Sequence, residues 1–155
     1  MKKYKYIYPP NAREQEQLDI MIAMEAQDKD PMAPDVIDQE ILFTTKFWHV
    51  SENRFPYKGT KKQFLIVAMG PVYSVEEMSG EMWEDLREIW MRIKKEYQID
   101  GGALCFRFGE PALSGASLTR LHAHIIMPEE ETGVRFKVGG HRELKEGLVI
   151  KENVK

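Results

Sequence analysis

Gly115-Ala116-Ser117-Leu118-Thr119-Arg120-Leu121-His122-Ala123-His124-Ile125-Ile126-Met127-Pro128 is the stretch on which the reading of this chain turns. Residues 117–127 read as a strand, whose two-residue period puts Arg120, His122 and His124 on one face. Leu121, Ala123 and Ile125 then anchor the opposite face in a core, so the polar row lines a cleft or faces solvent. Two imidazoles and a guanidinium on one surface suit chemistry at phosphorus. A neutral imidazole is a competent nucleophile near physiological pH, and a covalent phosphoramidate splits one hard displacement into two easier ones. Arginine can hold phosphate oxygens, and phosphoryl transfer is catalysed mostly by positioning and charge stabilisation. Ser117 can donate a hydrogen bond to a bridging or leaving oxygen, and Gly115 lets the backbone approach a phosphate closely.

Working outward, residues 109–116 are a loop and residues 103–108 a further strand. Asp100-Gly101-Gly102 ahead of them tolerates positive φ and ends a helix. In that helix Met82, Trp83, Leu86, Ile89, Trp90, Ile93 and Tyr97 recur at spacings of three and four, and Ser79 is placed to cap it. The continuous apolar run Gln63-Phe64-Leu65-Ile66-Val67-Ala68-Met69, bounded by Gly70 and Pro71, is a central strand covered on both faces. Residues 51–60 are a loop, and the β-branched and aromatic residues of 41–50 form one strand or a hairpin. Residues 27–38 carry Pro31 and Pro34 and read as an irregular connection. Residues 11–26 form a short helix with Asn11 as a possible cap. Val134-Arg135-Phe136-Lys137-Val138 suggests a last short strand or arm. These elements predict an α+β fold, an antiparallel sheet with one long amphipathic helix packed on it plus an N-terminal helix. One domain over residues 1–155 is expected, with an N-terminal extension (1–39), a core (40–128) and a C-terminal arm (129–155).

Bulk properties bound the function. The chain is 43% hydrophobic and 30% charged with 10% aromatic residues, an ordinary globular composition. A formal net charge of −3 argues against a general nucleic-acid binder, which needs a broad cationic footprint, but leaves a small phosphate ligand open. The one cysteine, Cys105, sits in an apolar run, so a buried thiol and a reducing compartment are expected. No run of about 20 apolar residues suggests a membrane span, and the basic N-terminus continues into Tyr8-Pro9-Pro10 rather than an apolar stretch. A cytoplasmic protein without nucleic-acid or membrane partners is the expectation.

Gly115-x-Ser117-Leu118-x-Arg120-Leu121-His122-Ala123-His124-Ile125-Ile126 resembles the signature of the histidine-triad (HIT-like) superfamily: a glycine, then serine or threonine, then His-φ-His-φ-His-φ-φ. Upstream, Asn53-Arg54-Phe55-Pro56-Tyr57-Lys58-Gly59 is similar to the Asn-x-x-Pro-Tyr-Asn-x-Gly segment of the diadenosine-tetraphosphate phosphorylase and hydrolase branch. The elements come in the family's order over about residues 40 to 128. The resemblance implies a nucleotide-phosphate hydrolase or nucleotidyltransferase acting on dinucleoside polyphosphates or nucleoside phosphate esters. It implies a nucleotidyl-histidine intermediate, a homodimer, no cofactor and no obligatory metal. The family's nucleophilic middle histidine falls on His122 and the third on His124, while Arg120 replaces the first. Ser117 matches the hydroxyl residue beside the phosphate, and Asn53 a nucleoside-side contact. Arg107, Gly115 and Lys58 complete the candidate substrate contacts, Arg107 standing near an asparagine of many members. A second register takes His122 as the first histidine and His124 as the nucleophile; the Gly115-x-Ser117 spacing favours the first.

Plainer readings stand beside these. A His-x-His pair is also a solvated strand face or half of a metal site, although His49 and His141 are the only other histidines. Asn53 can simply cap a turn, and Tyr57 and Lys58 fit loop surface better than ligand contact. Trp83 and Trp90 belong to the core or a dimer interface, and His141 is expected to be exposed. Two further functions remain open: a nucleotide-binding relative with little turnover, and a metal-dependent hydrolase using the His-x-His pair.

Overall fold

Ser79 accepts a hydrogen bond from Met82 N at 3.2 Å and starts the long helix where expected. In this computed structural model, which describes residues 3–151, that helix is the second of three: α1 (Gln15–Ala26), α2 (Gly80–Glu96) and α3 (Pro111–Ser114). Five strands, β1 (Ile41–Thr44), β2 (Trp48–Glu52), β3 (Thr60–Ala68), β4 (Ala103–Phe106) and β5 (His122–Pro128), form one sheet in the order β1-β2-β3-β5-β4. Every neighbouring pair is antiparallel. The expected α+β fold, an antiparallel sheet with a long amphipathic helix, is the one found.

The contacts gather into two units. The first holds the described residues up to Asp38, Arg107–Arg120, and the described residues from Lys137 onward; the second holds Gln39–Phe106 and Leu121–Phe136. The second contains the sheet and α2. Met82, Leu86, Ile89 and Ile93 of α2 are buried in one cluster with Trp48 and Val50 of β2, Phe64, Ile66 and Ala68 of β3, and Ala123 and Ile125 of β5. Burial of each such aliphatic side chain contributes about 1.5–3 kcal/mol, so this cluster dominates the unit's stability. Trp48 adds a directional tie, its indole N–H donating to Met82 O at 3.1 Å. The run from Gln63 to Ala68 is buried throughout, as a strand covered on both faces requires.

In the first unit, Leu18 and Met21 of α1 are buried with Ile7 and Ala12, and Leu144, Leu148 and Ile150 of the C-terminal arm pack against them. Asn11 does not cap α1. It lies in a 3-10 turn, Pro9–Asn11, where its amide donates to Pro111 O and Ala116 O and accepts from His141 N, stitching three segments together.

Several boundaries differ from expectation. Residues 41–50 resolve into the hairpin β1–β2, and α3 lies inside the expected loop 109–116. The strand expected over 117–127 begins only at His122. Ahead of it Leu118 bridges Ile7, Ser117 O accepts from Tyr8 N at 2.7 Å, and Thr119 N donates to Tyr6 O at 3.0 Å. The N-terminal extension thus claims the backbone that sheet pairing would have used. No strand forms over 134–138. Cys105 is half-buried rather than buried, and Trp83 and Trp90 stand 44% and 37% exposed, outside the core.

Candidate active site

Ladder registers decide which side chains share the sheet face opposite α2. His49 pairs with Val67, which pairs with His122; Ser51 pairs with Leu65, which pairs with His124, and Cys105 completes that row. Because directly paired residues project to the same side, these two rows share a face, while Phe64, Ile66, Ala123 and Ile125 turn towards α2. Gln63, two residues before Leu65, joins the polar face. His49 and Ser51 are fully buried, Gln63 is 1% exposed and His124 6%, while His122 is half-buried. The expected placement of His122 and His124 on one face away from the core cluster therefore holds. Of the two expected settings for the row, a cleft or open solvent, His124 is not in open solvent.

The two rings lie side by side, centroids 5.0 Å apart and tilted by 69°. His124 is packed by Tyr57, at 5.8 Å, and by Phe136, at 5.7 Å, and those two rings meet edge-on at 5.7 Å. Its Nδ1 lies 3.0 Å from the Gln63 amide nitrogen, and Tyr57 N donates to Gln63 Oε1 at 2.7 Å. The segments carrying the two aromatic rings are joined by backbone: Glu129 N donates to Gly59 O at 2.8 Å. At Gly59, with φ +86°, a Cβ would sit 2.4 Å from Gly133 O, so only glycine fits. Among the described residues no three His, Cys, Asp or Glu side chains gather as a metal-holding group.

Of the other candidates in this unit, Asn53 Oδ1 accepts from Phe55 N at 3.0 Å, the turn-capping arrangement, and Lys58 is exposed. Arg120, Ser117, Gly115 and Arg107 belong to the first unit. Arg120 is buried there, its Nε donating to Asp30 Oδ2 at 2.7 Å, and Asp30 is buried as well. Arg120 lies ahead of β5, outside the ladder registers that align the imidazoles. Gly115 takes φ +84°, and a Cβ there would lie 2.8 Å from Gly139 O, so the C-terminal arm makes the close approach. Arg107 Nη2 donates to Lys137 O at 2.7 Å. Ser117 is half-buried. His141 is exposed as expected, its Nε2 2.9 Å from Lys137 Nζ.

Reading the sequence missed Gln63, Tyr57, Phe136, His49 and Asp30. Gln63 alone carried a signal, a polar residue opening an otherwise apolar strand. Asp30 lies 90 residues from its partner in a segment without periodicity, so no local pattern marks it.

Neither a family model nor a curated protein matches the sequence. Solved structures do match. A Hit-like protein of Bartonella henselae involved in cell-cycle regulation aligns at TM-score 0.54 and 18% identity, over 68% of this chain and 80% of that one. A zinc-bound histidine-triad protein of Mycobacterium smegmatis aligns at 0.53 and 12%, over 67% and 76%. A HIT family hydrolase of Clostridium thermocellum aligns at 0.52 and 16%, over 65% and 88%. With the strand order, the helix on one face and the paired imidazoles on the other already established, these likenesses identify the architecture: the chain has the histidine-triad fold.

Proposed function

We propose that the protein is a nucleotide-phosphate hydrolase or nucleotidyltransferase of the histidine-triad type, with His122 as nucleophile. The reading rests above all on two imidazoles 5.0 Å apart at the start of β5, one of them, His122, half-buried and so within reach of a ligand. In the first step a lone pair of His122 forms a P–N bond, the bond to the leaving phosphate or alcohol oxygen breaks, and that oxygen takes up a proton. In the second, water or inorganic phosphate attacks the phosphorus, loses a proton, and displaces the imidazole. Dinucleoside polyphosphates and nucleoside phosphate esters are the substrates this chemistry suits. Ser117 and Arg120, which precede His122 in the chain, keep the supporting parts that the resemblance implies, as do Asn53, Lys58, Arg107 and Gly115 on the substrate side.

The test is His122→Ala assayed against dinucleoside polyphosphates. Turnover falls by about 10³-fold or more, the scale for loss of a covalent nucleophile, while the melting temperature hardly moves. Retained turnover rejects the assignment. One observation favours a second reading, a nucleotide binder with little turnover: at the first triad position stands an arginine whose charge is balanced by Asp30. A nucleotide that raises the melting temperature without forming product selects that reading.

The reading includes a homodimer in the cytoplasm. Support for the homodimer is the sheet's end strand β4, which carries Leu104 at 42% exposure, and the neighbouring exposed Trp83 and Trp90. Trp90→Glu makes the protein monomeric by sedimentation if this face joins two copies. Among the described residues no helix is long and apolar enough to cross a membrane.

A further inference from the structure

The geometry points to Gln63 as a positioning residue that fixes which nitrogen of His124 carries the proton, making His124 a hydrogen-bond donor and not a second nucleophile. Its value for catalysis rests on the function proposed above; the proton assignment itself does not.

One partner of Gln63 is a backbone group that cannot change its role. Tyr57 N–H donates to the side-chain amide of Gln63 at 2.7 Å, and a backbone N–H can only donate, so the amide atom facing it is the oxygen. The amide nitrogen then faces His124 Nδ1 at 3.0 Å, and an NH₂ group can only donate. His124 Nδ1 must therefore accept, which leaves the proton of the neutral ring on Nε2. Gln63 is 1% exposed and His124 6% exposed, so water does not compete freely with this chain of bonds. Tyr57 and Phe136 pack on the imidazole and hold its plane.

This arrangement separates the two imidazoles of β5. In His124 the Nδ1 lone pair is engaged by Gln63 and Nε2 holds the proton, so the neutral ring offers no lone pair to phosphorus. What it offers is an N–H, suited to a phosphate or leaving-group oxygen. Of the two registers open in the sequence, the one with His124 as nucleophile conflicts with these bonds, and His122 is left as the attacking ring.

The test is nitrogen-15 NMR of the imidazoles in the ligand-free full-length protein, which distinguishes the two tautomers directly. The neutral His124 ring is expected as the Nε2–H form. Gln63→Glu replaces the donor facing Nδ1 by an oxygen that only accepts, so His124 should switch to a form protonated at Nδ1. Where turnover is measurable, kcat should fall by about 10²-fold, the scale of a lost acid–base contribution, with less change in KM. A wild-type His124 protonated at Nδ1 while neutral overturns the proposal, and that spectrum needs no variant to fold. An unchanged tautomer in a folded Gln63→Glu protein overturns it equally. The expected spectra in a protein that turns over no nucleotide would support the Gln63 assignment and count against the hydrolase reading alone.

Discussion

The two faces of one sheet are built on different principles. Towards α2, Val50, Phe64, Ile66, Ala123 and Ile125 are buried by shape and apolarity, and an apolar side chain of similar volume and shape serves. On the opposite face Ser51, Gln63 and His124 are buried just as deeply, but there burial is tolerable only because donors meet acceptors. The first face can drift in sequence and keep its energy. The second loses its purpose if one atom changes from donor to acceptor. Depth of burial alone does not separate a core from a site; the chemistry of what is buried does.

Substitutions put that contrast to the test. The largest stability loss is expected at the buried Arg120–Asp30 pair of the first unit. Asp30→Ala removes the carboxylate that faces a buried guanidinium and should cost about 3–5 kcal/mol in denaturant unfolding, and a loss below about 1 kcal/mol would show that the pair is solvated. On the α2 side, Ile66→Ala should cost about 2–5 kcal/mol through lost burial and a residual cavity, whereas Ile66→Val should cost only about 0.5–1.5 kcal/mol. Equal penalties for the two would mean that shape matters there less than argued. On the polar face, Ser51→Ala removes the hydroxyl that accepts from the Gln39 amide, and about 0.5–1.5 kcal/mol should be lost. If Ser51→Val proves as stable as wild type, burial on that face does not depend on hydrogen bonding. The smallest effect belongs to exposed Lys58: Lys58→Ala should stay within about 0.5 kcal/mol, so any change in nucleotide affinity in that variant reports on ligand contact directly.

Much of the sheet-and-helix unit was legible because its signals are local. Seven apolar residues spaced by three and four announce α2, and an unbroken apolar run announces β3. The start of β5 was not legible. Leu118 and Thr119 have strand-like neighbours, yet their backbone pairs with Ile7 and Tyr6 more than 100 residues away, a competition that no window of sequence displays. Asn11 shows the same limit. Its composition suits a helix cap, but the amide found more partners in distant carbonyls than α1 could offer. At the site, the histidines could be singled out because few residue types perform their chemistry. Gln63 and Phe136 escaped notice, and Tyr57 read as loop surface, because their importance lies in where a neighbour's lone pair points, which is a property of three dimensions.

The junction at Gly59 has a consequence for motion. Since Glu129 N bonds to Gly59 O and the Gly133 carbonyl presses where a side chain would otherwise be, the stretches bearing Tyr57 and Phe136 are fastened to each other close to both rings. Displacing either aromatic cover of His124 therefore strains the backbone that carries the other, and hydrogen exchange is expected to show the two stretches opening together.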